Sequence, residues 1–362
     1  MKQLVFDLID RQGGSISYAE YMNLVLYHPE HGYYSSTRQK IGKGGDFYTS
    51  SNVSDVYAKV FAAFFSRMVE KDLAEPAFCE IGGGTGRFLE ALLLEWKNCS
   101  PRTYEALTVI SVEGSGFHRN LQMERCADLA VSVQEQLPEN FRGIIFSNEL
   151  FDAFPVHVVA KIDSQLFEVK VAYKNGALVE EFEPLKNEEI ASFLLWQNIE
   201  LSEGQRFEVP LAMLSYMRML DHACEAAVIA MVDYGYTNAE WHTPARKQGS
   251  MRGYFRHQMM PPLLHPFEMD ITTHIHFDAY EKKAEELGWN LLVKERQDQF
   301  LMNAGILSFL HEHSHRDPFS PSAKQNRAVR DLIMPGNISS AFHVFLHGKG
   351  IERLTDDIYK KW

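Results

Sequence analysis

The sequence predicts an α/β protein built around a parallel sheet, and three observations carry that expectation. Short apolar runs at 77–81, 107–112 and 143–147 alternate with amphipathic helical patterns at 86–96 and 115–128. Alternation of this kind signals parallel strands joined by helical crossovers. AAVIAMVDYG (226–235) has the near-continuous apolar character of a strand buried on both faces. Between the first run and its helix lies a glycine burst, FCEIGGGTGRFLEALL (78–93), a strand-turn-helix junction at which backbone can approach a ligand closely.

The elements follow in order. Residues 2–12 and 17–27 have helical spacing, and Ser17 with Glu20 forms a capping box at the start of the second. The stretch 28–54, rich in glycine and hydroxyl residues, is too long for a plain connector and predicts a functional loop. A helix follows over 55–71, with Val56, Val60, Phe64 and Met68 on one face. After the fourth core strand, VHVVAKI, LFEVKVAY and LVEEFEPL predict an antiparallel meander turning at Lys174-Asn175-Gly176. Helical patterns at 188–200 and 211–223 lead into the buried strand. Residues 236–276 form a second long loop. Beyond it come helix 278–287, strand NLLVKE, helices 299–313 and 322–333, and a last strand AFHVFLH (341–347).

Composition narrows the function. The 362 residues carry a net charge of -12, against the basic field that nucleic-acid binding needs, and favour cationic partners such as basic peptides. Cys79, Cys99, Cys126 and Cys224 are scattered without a paired motif, which fits a reducing compartment and no structural zinc. Neither a signal peptide nor a membrane-length apolar run is present, so a soluble cytoplasmic protein is expected. The histidines His257, His265, His274 and His276 lack ligand spacing, so no metal is expected.

Three ligands compete for Gly82, Gly83, Gly84 and Gly86. A P-loop needs Lys and Ser or Thr after its last glycine, and Arg87 and Phe88 stand there. The dinucleotide fingerprint spaces its glycines GxGxxG, whereas these read GxGxG behind Glu80. That carboxylate would repel a pyrophosphate and suit S-adenosylmethionine (SAM), whose amino acid end carries an ammonium and a sulfonium. Glu113, at the tip of the second strand, is placed to accept hydrogen bonds from ribose hydroxyls. NAD would use the same acid, and a carboxylate stabilised by the next helix is the plainer alternative. Asn148, Glu149 and Asp152 leave the fourth strand together amid Phe146, Leu150, Phe151 and Phe154. Acids buried there need partners, and a cationic substrate is one.

These residues lie within a longer resemblance. HPEHGYY (28–34), GGDFYTSSNVS (44–54), EIGGGTG (80–86), VE (112–113), SNELFDAFPV (147–156), VDYGY (232–236), RGYFRHQMM (252–260), DITTHIHFDAY (270–280) and QDQFLMNAGI (297–306) occur in one order. The chain so read resembles the MidA family of SAM-dependent methyltransferases, which includes a mitochondrial protein arginine methyltransferase of complex I assembly. The resemblance implies a class I, Rossmann-like methyltransferase core over 76–160 and 225–362. It also implies an N-terminal helical extension and cofactor-covering loop (1–75), a β-rich and helical insert (161–224), and a substrate-side loop (236–276). It places Asp46 and Thr49 over SAM, with Glu80, Gly82, Gly84, Gly86, Glu113 and Asn148 around it. Ser51-Asn52 departs from the family's usual Pro-Glu, and GGG from its usual GPG.

The function so implied is methyl transfer to a protein arginine. Glu149 and Asp152, helped by Asp233, would grip the guanidinium as catalytic residues, and Tyr234 and His274 would face the substrate. Arg252, Tyr254 and Arg256 could meet the SAM carboxylate, bind an acidic segment, or brace the insert. Two other readings stand beside this one: a SAM-dependent enzyme for a small molecule or another side chain, and a SAM-binding assembly protein with little turnover. The expected partner is a protein with an exposed arginine, with no nucleic acid or membrane and with a homodimer possible.

Overall fold

The computed structural model describes residues 1–36, 55–312, 317, 320–334, 341–355 and 358–359. It divides into two compact units: Met1–Phe47, Phe151–Met219 and Gly235–Lys283 form one, and Tyr48–Leu150, Leu220–Tyr234 and Ala284–Trp362 the other.

The second unit holds the parallel sheet. Its strands are β1 (Ala77–Ile81), β2 (Thr108–Val112), β3 (Val131–Gln134), β4 (Phe141–Asn148), β5 (Cys224–Tyr236), β6 (Asn290–Arg296) and β7 (Phe342–Lys349). Their order across the sheet is 3-2-1-4-5-7-6. β1 to β5 pair in parallel, and β7 runs antiparallel between β5 and β6. That order, with its one reversed strand, is the class I methyltransferase topology that the resemblance implies. The strand order turns back between β1 and β4, and ligands of open α/β sheets bind at the carboxyl ends beside such a reversal.

Aromatic packing fixes this unit. Helix α1 (Asp55–Glu70) buries the predicted face of Val56, Val60, Phe64 and Met68, together with Phe61 and Phe65. Phe88, in the helix that follows the glycine turn (α2, Arg87–Cys99), stacks on Phe146 of β4 with centroids 4.6 Å apart. Phe61 meets both rings, at 6.2 and 5.0 Å. Each such pair contributes about 0.5–1.5 kcal/mol beyond its buried area, so the turn is held against β4 by its own helix. The sequence reading assigned α1 to the N-terminal extension; these contacts place it in the unit of the core sheet.

The first unit contains a five-stranded sheet, in which the predicted meander (His157–Ile162, Gln165–Lys174, Ala177–Pro184) is joined by Ser15–Ser17 and Arg206–Val209. All its pairings are antiparallel. Asn175 and Gly176 turn the hairpin with φ of 52° and 84°, the left-handed pair such tight turns require. The predicted capping box is formed: Ser17 Oγ accepts from the Glu20 N–H, and the Glu20 carboxylate accepts from Ser17. The long segment 236–276 is more ordered than a loop, with strands Arg252–Phe255, Gln258–Met260 and Asp270–Thr272 making a small antiparallel sheet. Periodicity missed it because the strands are only three or four residues long. The helix expected over 299–313 stops at Ala304, where Gly305 adopts φ 101°.

Candidate functional site

The glycine turn begins where β1 ends. Gly82, Gly84 and Gly86 have φ of 72°, 54° and 74°, a left-handed backbone that side chains disfavour. A Cβ on Gly83 would lie 2.3 Å from Glu80 Oε2, so the glycine there makes room for that carboxylate; one on Gly84 would meet nothing within 4 Å among the described residues. The α-carbon of Gly84 is therefore uncovered by them at the carboxyl end of the sheet. It is followed by the N-terminus of α2, which Gly86 caps.

Glu113 ties the turn to β2. Its Oε2 accepts from the Gly84 N–H at 3.0 Å and its Oε1 from the Ser115 N–H at 2.9 Å. Gln122, from the next helix (α3, Gly116–Arg125), holds the other side: its Nε2 donates to the Gly84 carbonyl at 2.9 Å, and its Oε1 accepts from Ser111 Oγ at 2.6 Å. Gln122 is fully buried. The sequence reading overlooked it, although a glutamine on the inner face of α3 is a buried polar group in need of partners.

Glu80 is buried beneath the turn, and its Oε2 has no hydrogen-bond partner among the described residues. Burial first, and the charge of Glu113 second, push its carboxyl up to about 8. An unpaired buried carboxyl oxygen beside an open backbone cradle is the feature that a cationic ligand satisfies, and it gives the anionic pyrophosphate of a dinucleotide nothing. The residues therefore fit SAM: Glu80 would meet its cationic amino acid end and Glu113 its ribose.

The acids at the strand tips stand side by side. Asn148, the last residue of β4, is the register partner of Val232 in the adjacent parallel strand β5, so Glu149 and Asp233 follow side by side. The Glu149 N–H donates to the Val232 carbonyl at 2.9 Å. Glu149 itself adopts φ 52°, a conformation that is uncommon outside glycine and clusters at functional sites. Asn148 Nδ2 donates to Glu149 Oε1 at 3.0 Å, and its Oδ1 accepts from the hydroxyl of Tyr57 in α1 at 2.8 Å. Asp233 is fully buried and its Oδ1 accepts from the Tyr234 N–H at 2.9 Å. The Tyr234 ring packs edge-on against Phe342 at 5.2 Å.

Asp152 and His274 belong to the other unit. Asp152 is buried, and its carbonyl accepts from the Thr273 N–H at 2.8 Å. Tyr34 of this unit donates to Asp270 at 2.7 Å, and the charges of Asp270 and Asp152 add to the burial that raises its hydroxyl. His274 stacks on Tyr236 at 4.3 Å and 6°, with the Arg246 guanidinium on the Tyr236 ring at 4.2 Å. Burial and the charges of Arg246 and Arg252 bring His274 down to about 4, so it is neutral. Arg252 donates to the carbonyls of Met251 and Gly249, at 2.6 and 3.4 Å, which favours bracing among the three roles considered for it. Asp46, Thr49 and Ser51-Asn52 lie outside the described residues.

Known proteins agree with this geometry. Residues 56–294 match the Methyltransf_28 family, described as "Putative S-adenosyl-L-methionine-dependent methyltransferase". The mouse mitochondrial protein arginine methyltransferase NDUFAF7 is 26% identical, covering 94% of this chain and 84% of its own. The human protein of the same name is 24% identical, covering 92% and 80%. A COG1565 superfamily member from Burkholderia thailandensis, solved bound to S-adenosyl-homocysteine, superposes with a TM-score of 0.86 at 29% identity, covering 98% of this chain and 93% of its own. With the strand order, the glycine turn and its two acids, these matches show that the chain belongs to the Methyltransf_28 (MidA) family of methyltransferases and that its cofactor is S-adenosylmethionine.

Proposed function

We propose that this methyltransferase modifies an arginine side chain of a protein substrate. The observation that carries the proposal is the pair of acids, Glu149 just past the end of β4 and Asp233 on the adjacent strand β5, next to the glycine turn. The relatives named as protein arginine methyltransferases support the choice of acceptor.

SAM supplies an electrophilic methyl group; the chain has to hold and aim the nitrogen that attacks it. A guanidinium cannot be freely deprotonated, since its pKa lies above about 12. Carboxylates can grip two of its nitrogens in a fork, leaving the third to be aimed. In this reading Glu149 is the gripping carboxylate and Asp233 adds negative potential beside it. Glu149 then takes the proton released as the product forms. Tyr234 faces the acceptor. Asp152 and His274 remain proposals from the sequence, to be tested one residue at a time.

The test pairs binding with turnover. Calorimetry should show SAM binding to the wild type and its loss in Gly84→Val, where a β-branched side chain meets a left-handed φ of 54°. With radiolabelled SAM and a pool of arginine-containing peptides, the wild type should yield methylarginine on hydrolysis. Glu149→Gln should lower that yield at least about 100-fold while SAM affinity changes less than about threefold, the signature of an interaction made in the transition state. Asp152→Asn is expected to move in the same direction. Label appearing in another amino acid would sink the arginine assignment; SAM binding with no transfer to any acceptor would favour the assembly-protein reading.

A further inference from the structure

Helix α1 carries a polar group in the aromatic core whose purpose the cofactor turn leaves unexplained. Tyr57 is fully buried among phenylalanines, with Phe61 at 5.0 Å and Phe88 at 5.9 Å. A phenylalanine would fill that place without burying a hydroxyl. The Tyr57 hydroxyl donates to Asn148 Oδ1 at 2.8 Å and lies 3.3 Å from Oε1 of Gln297, which is also fully buried.

The direction of these bonds follows from donor arithmetic. A phenol has one proton, and the shorter contact takes it. The Gln297 Oε1 is a second, more distant acceptor for the same proton. The Asn148 carbonyl oxygen accepts from Tyr57, so its NH2 faces Glu149 and donates to Oε1 at 3.0 Å. These two short bonds point one way, from Tyr57 through Asn148 to a carboxylate. Bonds oriented alike in a dry interior strengthen one another. Burial, and then the charge of Glu149, hold the Tyr57 hydroxyl well above its ordinary range, which keeps it a donor. At the far end the Glu149 backbone is itself held, in its left-handed conformation, by the bond to Val232.

We infer that Tyr57 is a positioning residue, which acts through Asn148 to hold the Glu149 carboxylate in a fixed orientation as an ionised acceptor for the cationic substrate group. The inference rests on the proposed role of Glu149 as the gripping acid. Its chemistry extends to any guanidinium or protonated amine that the carboxylate receives.

The experiment reads Glu149 directly. Protein labelled with carboxyl-13C glutamate and loaded with S-adenosyl-homocysteine is titrated by NMR, with Glu149→Gln identifying the signal. Methylguanidine serves as the substrate probe. In Tyr57→Phe the Glu149 midpoint should rise by about half to one pH unit, because a donor that favours the charged form is lost. Methylguanidine should bind about 3–10-fold more weakly, while affinity for S-adenosyl-homocysteine changes less than about threefold. Gln297→Met, which removes the competing acceptor of the Tyr57 proton, should shift the Glu149 midpoint slightly downward, and the sign of that shift decides the matter if Tyr57→Phe does not fold. A Glu149 signal with unchanged shift and midpoint in the folded variants would overturn the inference. If the midpoint rises but neither Tyr57→Phe nor Glu149→Gln alters methylguanidine binding, the positioning chain stands and the guanidinium reading falls.

Discussion

At the scale of residues, Glu80 is the most informative side chain at the cofactor turn. Its carboxyl is raised from an ordinary 4.5 to about 8, first by burial and then by Glu113. Near neutral pH the free protein therefore holds it largely protonated. A cationic ligand favours the ionised form, so binding must expel a proton. SAM affinity is then expected to rise from pH 6 to about 8 and level off above, and the calorimetric heat at pH 7 should vary with the buffer's ionisation enthalpy. Stability runs the other way: the folded state binds the extra proton between about 4.5 and 8, so this group's contribution is full below 4.5 and is lost as pH rises through 8. Glu80→Gln should abolish both trends. Binding heats independent of buffer in the wild type would refute the assignment. That an acid stands before the glycines was legible in the sequence. Its protonation state was not, because that depends on burial and on Glu113, 33 residues further along the chain.

At the scale of elements, the turn is a joint between β1, β2 and helices α2 and α3. Gln122 carries the link to α3 by donating to Gly84 and accepting from Ser111, which stands on β2. Replacing it with methionine keeps the volume and leaves two polar groups without their partner, at a cost of about 1–3 kcal/mol for each buried group left unsatisfied. Gln122→Met should therefore lower the denaturation midpoint and weaken SAM binding together, as seen in urea melts with and without SAM. A variant as stable as the wild type would show that the Gly84 carbonyl finds another donor. Helix α3 was predicted from periodicity, but the buried residue that matters most is polar and adds nothing to an apolar pattern. The sequence showed the apolar face of helix α1 but not the aromatic neighbours that cover it, because periodicity says which side of a helix is buried and not which partner lies there.

At the scale of the whole molecule, acid should unfold the protein through histidines buried without charge. His276 is brought down to about 3 and His347 to about 4 by burial, and His274 to about 4 by burial and two arginines. His276 stacks on Trp241 at 4.9 Å and 11°, and neither ring nitrogen has a hydrogen-bond partner among the described residues. The unfolded chain takes up protons on these rings below about 6.5, whereas the folded chain does so only near 3–4. Stability must therefore fall as pH drops from about 6.5 toward 4. His276→Phe should lessen that loss: its Tm should fall several degrees less than that of the wild type between pH 7 and 5, followed by circular dichroism. Equal falls would place the acid sensitivity elsewhere. Among the described residues no helix is long and apolar enough to cross a membrane.

The sequence by itself determined most strands and helices of the parallel core, though not the short strand Val131–Gln134, and with them the glycine turn, the acids on either side of it and the cofactor class. Each is written in neighbouring residues: a period of two or 3.6, a glycine at a left-handed position, a carboxylate at a strand tip. Only the tertiary structure decided the order 3-2-1-4-5-7-6 with its reversed strand, the unit that receives α1, and the buried chain of contacts that joins Tyr57 to Gln297 and, through Asn148, to Glu149. The partners in that chain lie 240 and 91 residues apart. Local propensity carries no information over such distances; long-range packing and the need of each buried polar group for a partner do.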